Sequence, residues 1–401
     1  MPGKHRQPAG IAAALLAPLI LAGFLALAAA PPALAVVVST AQELAQAVAD
    51  ANRGGDKLIQ LADGVYQLDD MLWLEADGVT VEGLSGRRGA VVIQGRGMDG
   101  AVTHVFNLAG SDFTVRHLSM GLVSQHALQT QPAAQAPTVY DVRLFDTGEQ
   151  MLKVAWNPAQ PEAHTDRGLV ENCLFEYTAE FGPQYYIGGV DCHRGEGWVV
   201  RGNVFRNIKS PETSPAEHAI HFWSWARGTL IENNVIINCD RGIGLGLGER
   251  GHADGVVRNN MIYHRADDAG AADVGIGLES APGSWVYHNT VLLDSGYPHA
   301  IEYRFAQTSD ARIFNNLTNR AIASRDGGAA ELSHNLAGAR AGWFRDPAAG
   351  DLHLASPVAE VVDRGHGLEG LTTGGGLQDI DGDLRPQGAA PDLGADEYGE
   401  R

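Results

Sequence analysis

The chain has 401 residues, with 29 lysines and arginines against 48 aspartates and glutamates, and a formal charge of −19. Such an excess of acid argues against a general nucleic-acid binder, which needs a basic face, while 44% hydrophobic and 19% charged residues exclude a disordered tail. The 50 glycines have no G-X-Y period, which excludes collagen, and three cysteines in this length exclude a disulfide-stapled mini-domain.

Residues 1–35 read as an export signal. Lys4 and Arg6 precede an apolar stretch from Ala9 to Ala30, Pro31 and Pro32 break it, and Ala33-Leu34-Ala35 fits the small-x-small cleavage rule. Cleavage after Ala35 removes two positive charges and no negative one. It leaves a periplasmic or extracellular chain, expected to be monomeric and free of the membrane; a retained anchor is the other reading of this stretch. Cys173, Cys192 and Cys239 are an odd set without C-x-x-C spacing, so they read as small buried hydrophobes rather than metal ligands.

A short helix is predicted over 39–53, within a capping region 36–56. Thr40 and Glu43 form a capping box, Leu44, Ala47, Val48 and Ala51 make one apolar stripe, and Gly54-Gly55 ends it. Ahead of a strand-rich chain, such a helix serves as a lid over an exposed sheet end. From KLIQL onward the pattern becomes short apolar alternation. An apolar-x-x-Asn-apolar string then recurs around Asn172, Asn203, Asn234, Asn260, Asn289, Asn316 and Asn335. Repeats of roughly 20–30 residues made of short strands mean a solenoid, here over 57–340, on the order of ten layers. Asn suits the bends between strands because it tolerates the left-handed region and its amide can bond backbone or the Asn of the next layer. Residues 341–401 lack the repeat and read as an irregular C-terminal cap closing the other end. In it, Asp379, Asp381 and Asp383 could bind Ca²⁺ or form a plain acidic turn.

KLIQLADGVYQL after the short helix, the Asn-marked turns and the ending DIDGDLRPQGAAPDLGADEY together resemble the exported right-handed parallel β-helix proteins of bacteria. The resemblance covers nearly all of the chain after residue 35. It implies an all-β fold, a single right-handed parallel β-helix, in a group that includes polysaccharide lyases, uronate C5-epimerases, glycoside hydrolases and members without known activity.

A second strand per layer aligns on a small-apolar pair: LKVAW, GVDCHR, AIHFWS, GIGLG, GIGLES, AIEYRF and AIASRD. Alternation points Val190, Ile220, Ile243, Ile276, Ile301 and Ile322 inward. The outward column then reads Lys153, Asp191, His221, Gly244, Gly277, Glu302, Ala323, and two residues on Ala155, His193, Trp223, Gly246, Glu279, Arg304, Arg325. Charged and imidazole groups around a glycine floor, with one Trp, suit an extended sugar chain: Asp191, Trp223, Glu279, Glu302, Arg241, Gly244, Gly246 and Gly277 as binding residues. The same residues also suit a ladder of ion pairs, Glu279 and Glu302 with Arg304 and Arg325. His218 precedes its strand and reads as a turn residue. Asp191-Cys192-His193 resembles the D-P-H of mannuronan C5-epimerases, but Cys stands in the middle and Arg194 replaces the following acid.

For a uronate polymer, lyase and epimerase share removal of the C5 proton, which requires the sugar carboxylate to be neutralised. His193 or His221 is the expected base and Lys153, Arg304 or Arg325 the neutraliser, with Ca²⁺ held by Asp191, Glu279 and Glu302 as an alternative. The rival reading is a non-catalytic glycan-binding rod. The net charge opposes an anionic polymer at long range, so a local basic patch must overcome it.

Overall fold

The computed structural model describes residues 35–266, 271–367 and 377–399. Residues 1–34, with the expected signal, and Asp267-Asp268, which the sequence places in a variable loop, lie outside them. Among the described residues no helix is long and apolar enough to cross a membrane.

The chain is a single right-handed parallel β-helix. Each regular coil gives one strand to a ten-stranded parallel sheet and two to a twenty-stranded one. The larger sheet begins at Ala35, paired with Leu58, and ends at Ala330–Ser333. Alternation fills the interior: Val190, Ile220, Ile243, Ile276 and Ile301 are fully buried, and Phe175 stacks on Phe205 with centroids 4.6 Å apart. Helix Ala41–Asn52 carries the expected capping box and buries Leu44, Ala47, Val48 and Ala51 against the first strands, closing the N-terminal end. Burying one such Leu or Val stabilises by about 1.5–3 kcal/mol.

Coil is tied to coil by asparagine amides. Asn234 Nδ2 donates to Asn260 Oδ1 (3.0 Å) and to Val200 O (3.0 Å), and the Asn234 N–H donates to the same Oδ1 (3.0 Å). The pattern runs unbroken from Asn203 through Asn234, Asn260, Asn289 and Asn316 to Asn335. The left-handed bend falls on the residue before each amide: Gly202, Asn233, Asn259, His288, Asn315 and His334 have φ between +47° and +64°. Bend and ladder are thus two adjacent positions with separate tasks.

This corrects the first repeat. Asn172 is itself the bend residue (φ +56°) and is exposed; Cys173 holds the ladder position. Its N–H donates to Asn203 Oδ1 (2.8 Å), and its thiol donates to Val139 O (3.4 Å) where an amide would. All three cysteines are buried and unbridged.

The described part of the irregular C-terminal segment folds back along the flank of the rod. Strands Val235–Ile237, Met261–His264 and Thr290–Leu293 are apolar on both faces, so their outer side needs cover. Phe344, Leu352, Leu354, Val361, Leu393 and Ala395 pack there on Ile237, Met261, Tyr263, Leu292 and Leu317. Asp379 is fully buried and accepts from the N–H groups of Asp381 (2.9 Å), Asp383 (2.8 Å) and Glu397 (3.0 Å), so its carboxylate serves a backbone turn.

The ladder separates two asparagines of similar sequence context. Asn260→Ala strips two buried donors of Asn234 of their acceptor and should cost about 2–5 kcal/mol, whereas Asn172→Gly should stay within about 1 kcal/mol. Urea unfolding measures both; equal losses would contradict the assignment.

Candidate functional site

The ten-stranded sheet places both outward columns side by side. Lys153 pairs with Asp191, Asp191 with His221, His221 with Gly244, Gly244 with Gly277, Gly277 with Glu302, and Glu302 with Ala323. His193 pairs with Trp223, Glu279 with Arg304, and Arg304 with Arg325. The strip divides into two regions.

The first centres on Asp191, which is 3% exposed. It is ion-paired with Lys153 and accepts from Trp223 Nε1 (2.7 Å). His193 Nε2 and His221 Nδ1 each stand 3.8 Å from its oxygens. Burial pushes this carboxyl up, but Lys153 and the two imidazoles outweigh burial and hold it at about 2. Burial likewise pulls the Lys153 ammonium down, and Asp191 more than restores it, so both partners stay charged. Burial pushes His193 down to about 4, against the pull of Asp191, so its imidazole is neutral at pH 7. Asp191 is therefore a buried counter-charge that positions its neighbours, not a residue that meets a ligand.

His221 is 1% exposed and its Nε2 donates to Gly246 O (3.2 Å), so it does not reach the surface as a base. Trp223 offers no free stacking face. Its ring packs against His193 (centroids 4.3 Å), runs parallel to His221 (5.4 Å, 2°) and lies 4.1 Å from the Arg250 guanidinium.

The second region surrounds a cavity of about 340 Å³ bordered by His218, Arg241, Glu279, Glu302, Arg304 and Arg325 among others. Its charges are matched internally. Arg304 meets Glu279 (2.9 Å) and Asp326 (2.8 Å), and Arg325 meets Glu302 (2.9 Å). Glu302, only 2% exposed, also accepts from Tyr297 (2.6 Å), and Arg241 Nε donates to Asp273 (2.9 Å). This is the ion-pair ladder, so Arg304 and Arg325 are not free to neutralise a ligand. The glycine floor is also partly filled. His218 belongs to its strand, not to a turn, and lies over Gly244, where a Cβ would come within 2.7 Å of Nε2. A Cβ on Gly246 would strike Glu279 O, and one on Gly277 would press on Val274 Cγ1 at 3.3 Å.

Asp191, Glu279 and Glu302 do not gather as Ca²⁺ ligands, since each is matched to its own cation. Among the described residues, the groups of three His, Asp or Glu donors within 4.8 Å of one another are Glu217, His218 and His221, and His353, Asp381 and Asp396.

Sequence reasoning missed the aromatic border. Trp225, Tyr185 and Tyr186 are 50%, 46% and 40% exposed. Trp156 meets Trp225 edge-on (5.7 Å), Arg194 lies 5.6 Å from the Trp156 ring, and Lys153 lies 5.9 Å from that of Tyr186. Arg194 and Arg250 rest on indoles and, among the described residues, form no ion pair. The signal was the cluster of Trp and Tyr in VAWNP, PQYY and WSW, which lies just beyond the repeating strands.

Burial also pushes His126 and His252 down to about 3 from the ordinary 6.5. Between pH 6.5 and about 4 the unfolded chain thus binds more protons than the folded one, so stability falls on acidification by roughly 1.4 kcal/mol per pH unit per imidazole. The melting temperature should drop from pH 7 to pH 5, and His252→Gln should flatten that drop; a slope unchanged in the variant would contradict it. Gly244→Ala should destabilise by about 1–3 kcal/mol through overpacking on His218, and more than Gly277→Ala, which meets only the Val274 methyl; thermal melts of the two variants decide.

No family model matches the chain, and no curated protein does. Solved structures do match in fold. An alginate lyase from Paenibacillus sp. str. FPU-7 is 13% identical over 75% of this chain and 99% of that one, with a TM-score of 0.43. The catalytic unit of a GH87 alpha-1,3-glucanase from Streptomyces thermodiastaticus strain HF3-3 is 12% identical over 74% and 65%, with a TM-score of 0.44. A PL6 family polysaccharide lyase from Pseudopedobacter saltans is 12% identical over 81% and 97%, with a TM-score of 0.35. At identities of 12–13% and TM-scores below 0.5, these likenesses say nothing of this chain's activity.

Proposed function

We propose that the chain is an exported, polysaccharide-active β-helix protein that removes the C5 proton of a uronate-containing glycan. The observation that carries this reading is the company His193 keeps: a neutral imidazole at the strip's edge, with two guanidiniums held on indoles nearby rather than in ion pairs.

His193 takes the proton. The Asp191 carboxylate, 3.8 Å from Nε2, stabilises the imidazolium that forms. An imidazole at about 4 is a weak base in the free protein, but a sugar carboxylate bound beside it raises its basicity by the same Coulomb term. Arg250, whose charge acts on His193, neutralises that carboxylate, taking the role expected of Lys153, Arg304 and Arg325, which are held in ion pairs. Trp156, Trp225, Tyr185 and Tyr186 offer stacking faces for sugar rings, and Arg194 adds charge against the net −19. In the lyase outcome the C5–H electron pair forms the C4=C5 bond as the C4–O bond breaks, and the departing oxygen takes up a proton from solvent. In the epimerase outcome a proton returns to C5 from the opposite face.

Uronate polymers incubated with the protein should yield an ultraviolet-absorbing double bond or the C5 epimer. His193→Ala should lower kcat about 10²–10⁴-fold. Arg250→Ala should both raise KM and lower kcat, and Arg304→Ala should act on stability alone. Glycan binding with neither product, in any substrate tested, would leave the glycan-binding rod as the function and refute the enzyme.

A further inference from the structure

Glu217 and His218 lie beside His221 of the strip, and the proposed proton transfer uses none of the three. His218 Nδ1 is buried without a hydrogen-bond partner. His221 Nε2 faces Gly246 O at 3.2 Å, a contact only an N–H can make, which leaves Nδ1 as the donor atom turned toward the cluster. This Nδ1 stands 3.8 Å from both Asp191 Oδ1 and Glu217 Oε2. Each of the three residues offers one donor atom within 4.8 Å of the others. A tetrahedral ion with bonds of about 2.0–2.1 Å sets its donors about 3.3–3.4 Å apart, so His221 and Glu217 need close by only a few tenths of an ångström.

We propose that Glu217, His218 and His221 bind a divalent transition-metal ion of the Zn²⁺ type. Two imidazoles and one carboxylate suit Zn²⁺ and not Ca²⁺, which takes six to eight oxygens. Asp191 is engaged by Lys153 and Trp223 and serves as a charge behind His221 rather than as a ligand. Arg241 Nη1, 3.9 Å from Glu217, is the competing cation, but its Nε is drawn off to Asp273. Gly244 is part of the site, because a side chain there would push His218 out of place.

The test uses tag-free protein stripped with a chelator and titrated calorimetrically with Zn²⁺, in the presence and absence of millimolar Ca²⁺. One equivalent should bind, undisturbed by Ca²⁺, and Co²⁺ should give the visible band of a nitrogen-ligated tetrahedral ion. His218→Ala, His221→Ala and Glu217→Gln should each weaken binding by on the order of 100-fold or more, because each removes a ligand. His353→Ala, in the other three-donor group, should leave binding unchanged. No Zn²⁺ binding by the unaltered protein, or binding lost in His353→Ala and kept in His218→Ala, would overturn the proposal. Should His218→Ala fail to fold by circular dichroism, Glu217→Gln and the Co²⁺ band of the unaltered protein decide: no band, or full affinity in Glu217→Gln, overturns it. These readings are independent of activity, so they stand apart from the fate of the proton-abstraction proposal.

Discussion

The register of one coil on the next governs everything else in this rod. Side chains alternate across a strand, so a slip of one residue would turn the whole strip inward. Parallel backbone bonds alone repeat every two residues and do not choose between registers strongly. The buried amides do: each Asn of the ladder binds the N–H, the side chain and the carbonyl of particular neighbours, and a displaced coil would leave those groups unpaired away from water. The consequence reaches across the coil. With Asn203, Asn234 and Asn260 stacked, Asp191 falls beside His221, and His193 beside Trp223.

The strip has two electrostatic characters. Toward the C-terminal end, acids and bases satisfy one another, as Glu302 does with Arg325, Tyr297 and His299. Such a network holds coils together and has little left for a ligand. Around His193 the balance differs. Asp191 saturates Lys153, yet Arg194 and Arg250 rest on aromatic faces and, among the described residues, form no ion pair. A strongly acidic protein thereby presents cations where an acidic sugar would need them.

The spacing of the asparagines made the solenoid legible, and the small-apolar pair in each coil made the two outward columns legible before any coordinate was known. What escaped has physical reasons. Asn can serve either as bend or as ladder rung, and only the hydrogen bonds show that Asn172 is the first and Cys173 stands in for the second. His218 read as a turn residue because it precedes the aligned small-apolar pair, but the strand starts at His218 and the missing side chain of Gly244 leaves room for its ring. Trp223 was visible but not its company, since Arg250 comes from a loop of another coil. The flank-covering tail was foreshadowed by VII, MIY and TVLL, runs apolar on both faces, which a rod wetted on its outside would not carry.

The most direct test of the account is a crystal structure of the protein with a bound oligouronate. The account expects a sugar carboxylate against Arg250, its C5 hydrogen facing His193, and neighbouring rings on Trp156 or Trp225. Sugar bound only in the cavity lined by Arg304 and Arg325, or on another face of the rod, would contradict it.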